Sequence, residues 1–267
     1  MDNNLDLIYE KLFTENIAQN VSIFVSGIDH IGTSWCALTL AYSLSLKKKK
    51  VLIIDGNGNL SNISSYISLT SPLYIEEYIS GRKTLNQLII AYKNVNFNLL
   101  TALPGNNYLE KLPQGRIQIF TDDLRIIAKN YDHVIIDIGT NINDQNLALC
   151  KIAHELFIMS SEKSSDLVKT FDLLQNIHKM KISGTCKLII NRVNSFEDGY
   201  KIYKELSKAI SKSGLEEIEL LGIVRFDTRI RDTIKNRELL LARYPFSEAA
   251  VDIDHIAEKL NLEALYE

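Results

Sequence analysis

The chain has 267 residues, of which 46% are hydrophobic and 24% are charged, a composition typical of a folded globular protein. Its formal net charge of -3 gives no general attraction to nucleic acid or to anionic lipid. No apolar run approaches the roughly 18 residues that a membrane-spanning helix needs. The three cysteines, Cys36, Cys150 and Cys186, form no metal-ligand spacing. These features favour a cytoplasmic protein with buried, unpaired thiols.

The first 20 residues are predicted to be a short N-terminal helical extension. Their sequence, beginning MDNNLDLIYEKLFTEN, is acidic and amphipathic and does not resemble a secretion signal. Beyond this point no low-complexity linker interrupts the chain, and its length suits one large α/β domain. We therefore expect a single domain over residues 21–267.

Seven β-branched apolar runs recur along this domain, separated by segments long enough for helices. Each run is continuously apolar rather than alternating, as in strands that are covered on both faces. This alternation predicts a three-layer α/β fold with a mainly parallel sheet of seven or eight strands flanked by helices. The predicted strands cover residues 21–27, 50–55, 97–103, 133–139, 155–160, 187–193 and 219–224.

Polar side chains stand at or near the carboxyl ends of four of these runs: Ser26, Asp55, Asp137 and Asn191. In open parallel sheets, ligands bind beyond the carboxyl ends of the strands. The four side chains therefore predict a binding site at that edge of the sheet.

The stretch VSGIDHIGTSW, residues 25–35, has the spacing of a phosphate-binding loop. Such a loop needs Gly-x-x-x-x-Gly-Lys-Ser/Thr: backbone N–H groups surround the phosphate, the lysine neutralises its charge and the hydroxyl binds Mg²⁺. Gly27, Gly32 and Ser34 occupy their expected positions, but Thr33 replaces the lysine. From the loop alone, an ordinary strand-to-helix turn is an equal alternative.

Two further residues of the loop, Asp29 and His30, oppose phosphate binding because they add side chains and a negative charge where glycines are usual. Two like charges about 4 Å apart cost on the order of 1 kcal/mol in water. A lost charge-assisted hydrogen bond costs roughly another 1.5–3 kcal/mol. We therefore expect triphosphate binding to be weakened by about two orders of magnitude or more.

The order of motifs resembles the MinD/ParA family of deviant phosphate-loop ATPases, and within it the MinD-like flagellar-number regulators of the FlhG and FleN type. The resemblance runs from about residue 21 to residue 260. It includes the loop, KKKKVLIIDGNGNLSNI, the Walker B strand in YDHVIIDIGTNI, LIINRVN, LLGIVRFD and PFSEAA. It implies a P-loop NTPase-like fold that binds ATP or ADP with Mg²⁺. The implied nucleotide-binding residues are Gly27, Gly32, Thr33, Ser34 and Asn191, and the implied Mg²⁺ ligands are Ser34, Asp55 and Asp137.

Three departures from the family pattern affect hydrolysis. The signature lysine, which reaches the partner subunit's nucleotide, corresponds to Ile28, and the ordinary loop lysine corresponds to Thr33. The second acid of Asp-x-Asp corresponds to Asn57, which cannot accept a proton as a carboxylate does. Because phosphoryl transfer depends on positioning and charge stabilisation, we expect hydrolysis to be lost.

The retained residues leave two interpretations open. Ser34, Asp55 and Asp137 can still coordinate Mg²⁺, and Asn191 can still meet a purine, which makes a weak or vestigial nucleotide site. Alternatively, the two aspartates cap helices and Asn191 closes a turn.

Two functional classes follow from the resemblance. The favoured class is a non-catalytic MinD/ParA-like regulator or scaffold for placing or assembling a flagellum-type cell-envelope machine. Such a protein would be cytoplasmic, would reach the membrane or cell pole through protein partners, and would form any homodimer without ATP. The alternative is an ATP-dependent dimerisation switch with weak ATPase activity.

Three remaining segments give weaker indications. The lysine run at residues 47–50 is interpreted as solvated charge rather than a nucleic-acid site. The end of the chain, DIDHIAEKLNLEALYE, has more acids than bases, so it predicts no membrane-targeting helix and is expected to pack onto the domain. RFDTRIR, residues 225–231, is either an anion or partner contact or a solvated loop.

Overall fold

A single sheet of eight strands organises the computed structural model, which describes residues 18–57, 62–69, 72–92, 95–108, 112, 114–140, 142–143 and 146–263. The strand order is β3-β4-β2-β5-β1-β6-β7-β8, and all neighbours are parallel except the antiparallel pair β3–β4. The strands are β1 Ala18–Ser26, β2 Val51–Asp55, β3 Ile90–Ala91, β4 Phe97–Leu100, β5 His133–Thr140, β6 Ala153–Ser160, β7 Thr185–Val193 and β8 Glu219–Arg225.

The sheet confirms the predicted fold class, with differences at its edge. Each of the seven predicted strands corresponds to an observed one, and β3 is the additional strand. β3 has only two residues, too few to show a hydrophobic period. The strand predicted at 97–103 ends at Leu100, and Thr101 forms only an isolated bridge with Tyr74.

Helices cover both faces of the sheet. The helices are α1 Thr33–Leu46, α2 Ile63–Tyr66, α3 Glu76–Ile79, α4 Gln114–Ala128, α5 Leu147–Cys150, α6 Ser164–Lys179, α7 Phe196–Ser213, α8 Arg229–Asn236, α9 Leu240–Arg243 and α10 Glu248–Glu263, with a 3₁₀ turn at Leu85–Leu88. Buried side chains of α4, α6 and α7 form one apolar layer with the sheet, and those of α1, α9 and α10 form the other. The result is the predicted three-layer arrangement.

Successive residues of β1 explain why the strand sequences are apolar throughout. Ile23 and Val25 belong to the layer beneath α4 and α6, whereas Phe24 belongs to the layer beneath α1. All three are fully buried. Because neighbouring side chains of a strand point to opposite faces, a strand with helices on both faces needs apolar residues at every position.

The last described helix, α10, packs onto the domain as predicted. Ile253, Ile256 and Leu260 are buried in the layer that α10 shares with α1. Ile256 fits against Gly222 of β8, where an added Cβ would lie only 2.3 Å from its Cγ1 atom. No helix among the described residues is long and apolar enough to cross a membrane.

The predicted N-terminal extension lies mostly outside the described residues. Residues 18–20 of that segment belong to β1, which therefore begins three residues earlier than the predicted strand. The helical assignment of residues 1–17 stays a prediction. Cys36 and Cys150 are buried and Cys186 is partly buried, all three as free thiols, in agreement with the expected unpaired cysteines.

The contact between β8 and α10 makes a testable prediction. Gly222→Ala should lower the free energy of unfolding by about 1–3 kcal/mol, since the added methyl group overpacks the close contact with Ile256. Gly115→Ala in α4 is the matched control, because no described atom lies within 4 Å of its added Cβ. Urea unfolding of both variants checks the prediction, and an equal effect at the two sites would contradict it.

Candidate functional site

The predicted site residues meet at one edge of the sheet, as expected for strands that run in parallel. β1 lies between β5 and β6, and β2 pairs with the other side of β5. A cleft of about 880 Å³ opens beyond these strand ends. Gly32, Thr33, Ser34 and Asn191 line it, together with Asn57 and several residues that the sequence did not predict. Gly27, Asp55 and Asp137 do not line the cleft wall.

The loop between β1 and α1 has the backbone shape of a strand-to-helix phosphate loop. Gly32 has φ of 102°, a left-handed conformation that favours glycine, and its carbonyl accepts the first helical hydrogen bond from the Cys36 N–H at 2.9 Å. Gly27 packs against α6, where an added Cβ would lie 2.5 Å from the carbonyl oxygen of Lys169. Both glycines therefore allow backbone geometry that a larger residue would disturb.

The two positions where lysines would act carry side chains that cannot replace them. Ile28 is only 7% exposed and belongs to the apolar layer with Phe24 and Trp35. Thr33 is buried in the first turn of α1. Ile28 is thus part of the core rather than a residue that extends toward a partner subunit.

Ser34 is the centre of a buried polar network. Its hydroxyl donates a short hydrogen bond to Oδ2 of Asp137 and accepts one from Nδ2 of Asn57 at 3.2 Å. The other oxygen of Asp137 accepts from the backbone N–H of Gly139 at 3.1 Å. The network joins the ends of β2 and β5 to the first turn of α1.

Asp55 lies beside Asp137, since the two residues are in register on the paired strands β2 and β5. Its Oδ1 atom accepts a hydrogen bond from the Asn57 N–H at 3.3 Å, but its Oδ2 atom is buried without a hydrogen-bond partner. Burial, followed by the charge of Asp137, raises the pKa of Asp55 well above its ordinary value. Burial also raises the pKa of Asp137 to about 6, against the opposing effect of hydrogen bonds led by that from Ser34.

The donor set around Asp55 fits a magnesium ion. Mg²⁺ prefers oxygen ligands and is commonly held in phosphate sites by one or two carboxylates together with the substrate. Within the described part of the chain, no group of three or more His, Cys, Asp or Glu side chains could hold a metal. The residues that would hold the ion are Asp55, Asp137 and Ser34, and the Oδ2 atom of Asp55, which has no hydrogen-bond partner, would then gain a partner.

Asn191 is held against the phosphate loop. Its Nδ2 atom donates to the Ile31 carbonyl at 2.8 Å, and its Oδ1 atom accepts from the Arg192 N–H at 2.9 Å. An added Cβ on Gly32 would lie 3.1 Å from this Nδ2 atom. In this arrangement Asn191 braces the loop, which is the structural alternative considered for it, and its contact with a purine stays a prediction.

Arg225, in the 225–231 segment, is engaged in contacts within the protein. Its guanidinium binds both carboxylate oxygens of Asp252, at 2.8 and 3.0 Å, and one of Glu248 at 2.9 Å. The group also stacks over the ring of Phe196, 4.7 Å from its centroid. Although Arg225 lines the cleft, its charge is neutralised by these two acids.

In the predicted lysine run, Lys47 pairs with Asp254 at 2.9 Å and Lys50 lies over the Tyr131 ring. Asp29 of the loop accepts a hydrogen bond from Thr140 at 2.9 Å. These contacts connect the lysine run and Asp29 to neighbouring parts of the protein.

Tyr66 and Arg192 are among the cleft residues that were not singled out from the sequence. Burial raises the pKa of Tyr66, the charge of Asp137 raises it further and that of Arg192 lowers it, so the tyrosine lies within electrostatic reach of both groups. Arg192 directly follows Asn191 in the LIINRVN motif, and that adjacency was the available signal.

A protein-family model described as an AAA domain matches residues 30–190, which is more than half of the chain. The chain belongs to this family. The Antiactivator FleN of Pseudomonas aeruginosa is 19% identical, over 86% of this chain and 82% of the relative. The Flagellum site-determining protein YlxH of Helicobacter pylori is 23% identical, over 96% of this chain and 87% of the relative.

Solved structures show the same AAA-domain fold. The MinC:MinD cell division protein complex of Aquifex aeolicus matches with a TM-score of 0.76 at 18% identity, covering 91% of this chain and 95% of that one. The septum site-determining protein MinD of Pyrococcus horikoshii OT3, complexed with Mg-ADP, matches with a TM-score of 0.76 at 17% identity, covering 92% and 97%. The resemblance to the MinD/ParA family and its flagellar regulators is thereby confirmed.

The buried carboxylates of this AAA domain predict an unusual pH dependence. The folded-state pKa of Asp137, about 6, lies above its ordinary value of 3.8, so the folded protein holds the proton more tightly than the unfolded chain. The ionised carboxylate of Asp137 therefore lowers the free energy of unfolding above about pH 6. This destabilisation is relieved as the pH falls toward 4, by at most about 1.4 kcal/mol per pH unit. In EDTA at pH 7, Asp137→Asn should be more stable to urea than the wild type, and the difference should disappear near pH 4.

Comparing the wild type with Asp137→Asn isolates the effect of Asp137, because other groups that titrate, such as His133, are present in both proteins. At pH 7.5, added Mg²⁺ should raise the free energy of unfolding of the wild type and leave Asp137→Asn unchanged. The prediction is contradicted if the free energies of unfolding of the two proteins change in parallel with pH, or if Mg²⁺ raises both equally. Either result would show that the carboxylate pair does not carry the predicted charge.

Proposed function

We propose that this protein is a MinD/ParA-type positioning regulator of a flagellum-type cell-envelope machine that has lost ATP hydrolysis. The relatives support the first part: one is named an antiactivator and another a flagellum site-determining protein, and both match most of this chain. The residues of the cleft support the second part.

Asn57 carries the proposal that hydrolysis is lost. It follows β2 where the family has a water-positioning acid, and its Nδ2 atom donates to the hydroxyl of Ser34. Its side chain also packs against Gly139, where an added Cβ would lie 2.7 Å from Cγ of Asn57. An amide held in this way cannot accept a proton from water, and general-base catalysis contributes typically 10²–10⁴-fold.

The missing lysines remove a second contribution. A cation that stabilises the transferring phosphoryl group contributes on the order of 10³–10⁵-fold when it is supplied as an arginine finger. Ile28 is buried in the core and Thr33 is uncharged, so neither supplies a charge at the phosphates. Although such effects are not additive, losing both contributions together leaves turnover below detection.

Binding is a separate question from hydrolysis, and we propose that the cleft keeps weak affinity for ADP or ATP with Mg²⁺. Ser34, Asp55 and Asp137 would hold the metal, which would supply positive charge for the phosphates of the nucleotide. The volume of the cleft, about 880 Å³, lies within the range of small-molecule sites, roughly 300–1,000 Å³. In this proposal nucleotide occupancy does not lead to turnover.

The replacement of the signature lysine by Ile28 also affects how two copies of the chain can form a dimer. A nucleotide-sandwiched dimer of the family type needs a lysine from each subunit at the other's phosphates, and this chain has a buried isoleucine there. We therefore propose that any homodimer forms through other contacts and independently of ATP. Regulation is proposed to act through protein partners of the machine, which would also recruit the protein to the membrane or cell pole.

A second candidate function is an ATP-dependent dimerisation switch with weak hydrolysis. The buried pair Asp55 and Asp137, with Ser34 beside it, favours this candidate because these two acids of the site are retained. It would require another residue to replace the water-positioning acid.

Phosphate release distinguishes the two candidates. The wild type should show no turnover above background, with or without membranes and partner proteins, and ATP should not raise its dimer fraction in sedimentation. Thr33→Lys alone should improve phosphate binding only modestly, because Asp29 and His30 still crowd the loop. Steady wild-type turnover that Asp137→Asn abolishes would instead establish the switch.

A further inference from the structure

We propose that Arg192 supplies the positive charge that binds the phosphates of a Mg²⁺-bound nucleoside di- or triphosphate in this cleft, replacing the lysines that the phosphate loop lacks. This inference rests on the nucleotide binding proposed above and names the residue on which that binding depends.

The position of the Arg192 guanidinium is the first argument. Arg192 lines the cleft, and its Nη2 atom lies 3.9 Å from where a Cβ on Gly32 would stand. The charged group is therefore close to the last glycine of the loop, which directly precedes the first turn of α1. Backbone N–H groups at the start of a helix favour phosphate, and a planar guanidinium can bind phosphate oxygens through two parallel hydrogen bonds.

The backbone at Arg192 is the second argument. Its φ is 61°, a left-handed conformation that costs a non-glycine residue on the order of 1–2 kcal/mol. The conformation is held by the side chain of Asn191, which accepts from the Arg192 N–H and donates to the Ile31 carbonyl of the loop. Asn191 therefore fixes the arginine to the loop that it faces.

The availability of the charge is the third argument. Arg192 is exposed and makes no ion pair or side-chain hydrogen bond with any residue that the structure describes. Arg225, another arginine of the cleft wall, is already bound by Asp252 and Glu248. A phosphate group entering above Gly32 would therefore meet a guanidinium that does not have to leave another partner.

The opposite side of the site supplies an independent indication of a ligand. The Oδ2 atom of Asp55 is buried and has no hydrogen-bond partner. It belongs to the carboxylate pair that contacts the first turn of α1 through Ser34, whereas the Arg192 guanidinium lies near Gly32, the last glycine of the loop. A metal-bound polyphosphate would satisfy both sides: its cation would meet the carboxylates and its remaining negative charge would meet the arginine.

The chain carries its own reporter for testing the proposal. Its single tryptophan, Trp35, lines the cleft in the first turn of α1, so its fluorescence should respond to a bound nucleotide. Mg²⁺-ADP and adenosine are titrated separately, and calorimetry checks the affinities. Adenosine is the ligand control, because it has the base and ribose without phosphates.

Arg192→Gly is the decisive variant. Glycine adopts a φ of 61° without strain, so the variant should fold at least as stably as the wild type in thermal unfolding. It should bind Mg²⁺-ADP about 10- to 100-fold more weakly, the loss expected for a charge-assisted hydrogen bond, and adenosine equally well. Arg192→Lys should keep part of the ADP affinity because it keeps the charge.

Lys163→Ala is the matched control for surface charge. Lys163 is an exposed cation after β6, at the same edge of the sheet but outside the cleft wall, and its removal should leave both affinities unchanged. If Arg192→Gly binds Mg²⁺-ADP as tightly as the wild type does, the proposed role of Arg192 is overturned. It is also overturned if Lys163→Ala loses as much affinity for Mg²⁺-ADP as Arg192→Gly does. If the wild type binds no Mg²⁺-ADP, the proposed nucleotide binding fails with it, whereas phosphate release tests the loss of hydrolysis separately.

Discussion

The carboxylates of Asp55 and Asp137 end neighbouring parallel strands at a place that water does not reach, and the rest of the site is arranged around them. Two adjacent acids are costly to bury as anions unless protons, hydrogen bonds or a cation compensate their charges. Ser34, Asn57 and the Gly139 N–H provide part of that compensation. An apolar pair would be cheaper to bury here, and a cation held by the two carboxylates would compensate the charge that these hydrogen bonds leave.

The phosphate loop shows how a site can lose its usual charges and keep its shape. Ile28 adds to the apolar layer, and Asn191 closes the loop through the Ile31 carbonyl, so the backbone stays fixed without a bound phosphate. Arg192, at the end of β7, would restore a positive charge beside the loop. A guanidinium held from outside the loop can bind phosphate without occupying the position from which the loop lysine assists transfer. Binding would then depend on Arg192, whereas the proposed loss of hydrolysis follows from Asn57 and from the missing lysines.

This separation suits a regulator whose state is set by occupancy or by partners rather than by turnover. The flagellar relatives and the MinD structures share the fold over most of the chain, although sequence identity is only 17–23%. At that distance the packing of the sheet and helices is maintained by apolar residues that can replace one another. Catalytic groups have no such substitutes, because a lysine or carboxylate acts through its charge. A fold of this kind can therefore persist when its catalytic groups are replaced.

The sequence by itself determined the three-layer fold, the positions of seven strands and the meeting of Asp55, Asp137 and Asn191 at one edge, because burial on both faces requires continuous apolar runs and parallel strands end together. It did not reveal the two-residue strand β3, which is too short to show a period, or the start of β1 at Ala18. Only the tertiary structure decided that Arg225 is neutralised by Asp252, that Asn191 braces the loop and that Arg192 faces Gly32. These outcomes depend on contacts between residues far apart in the chain, and on a left-handed backbone at Arg192 that no local pattern predicts.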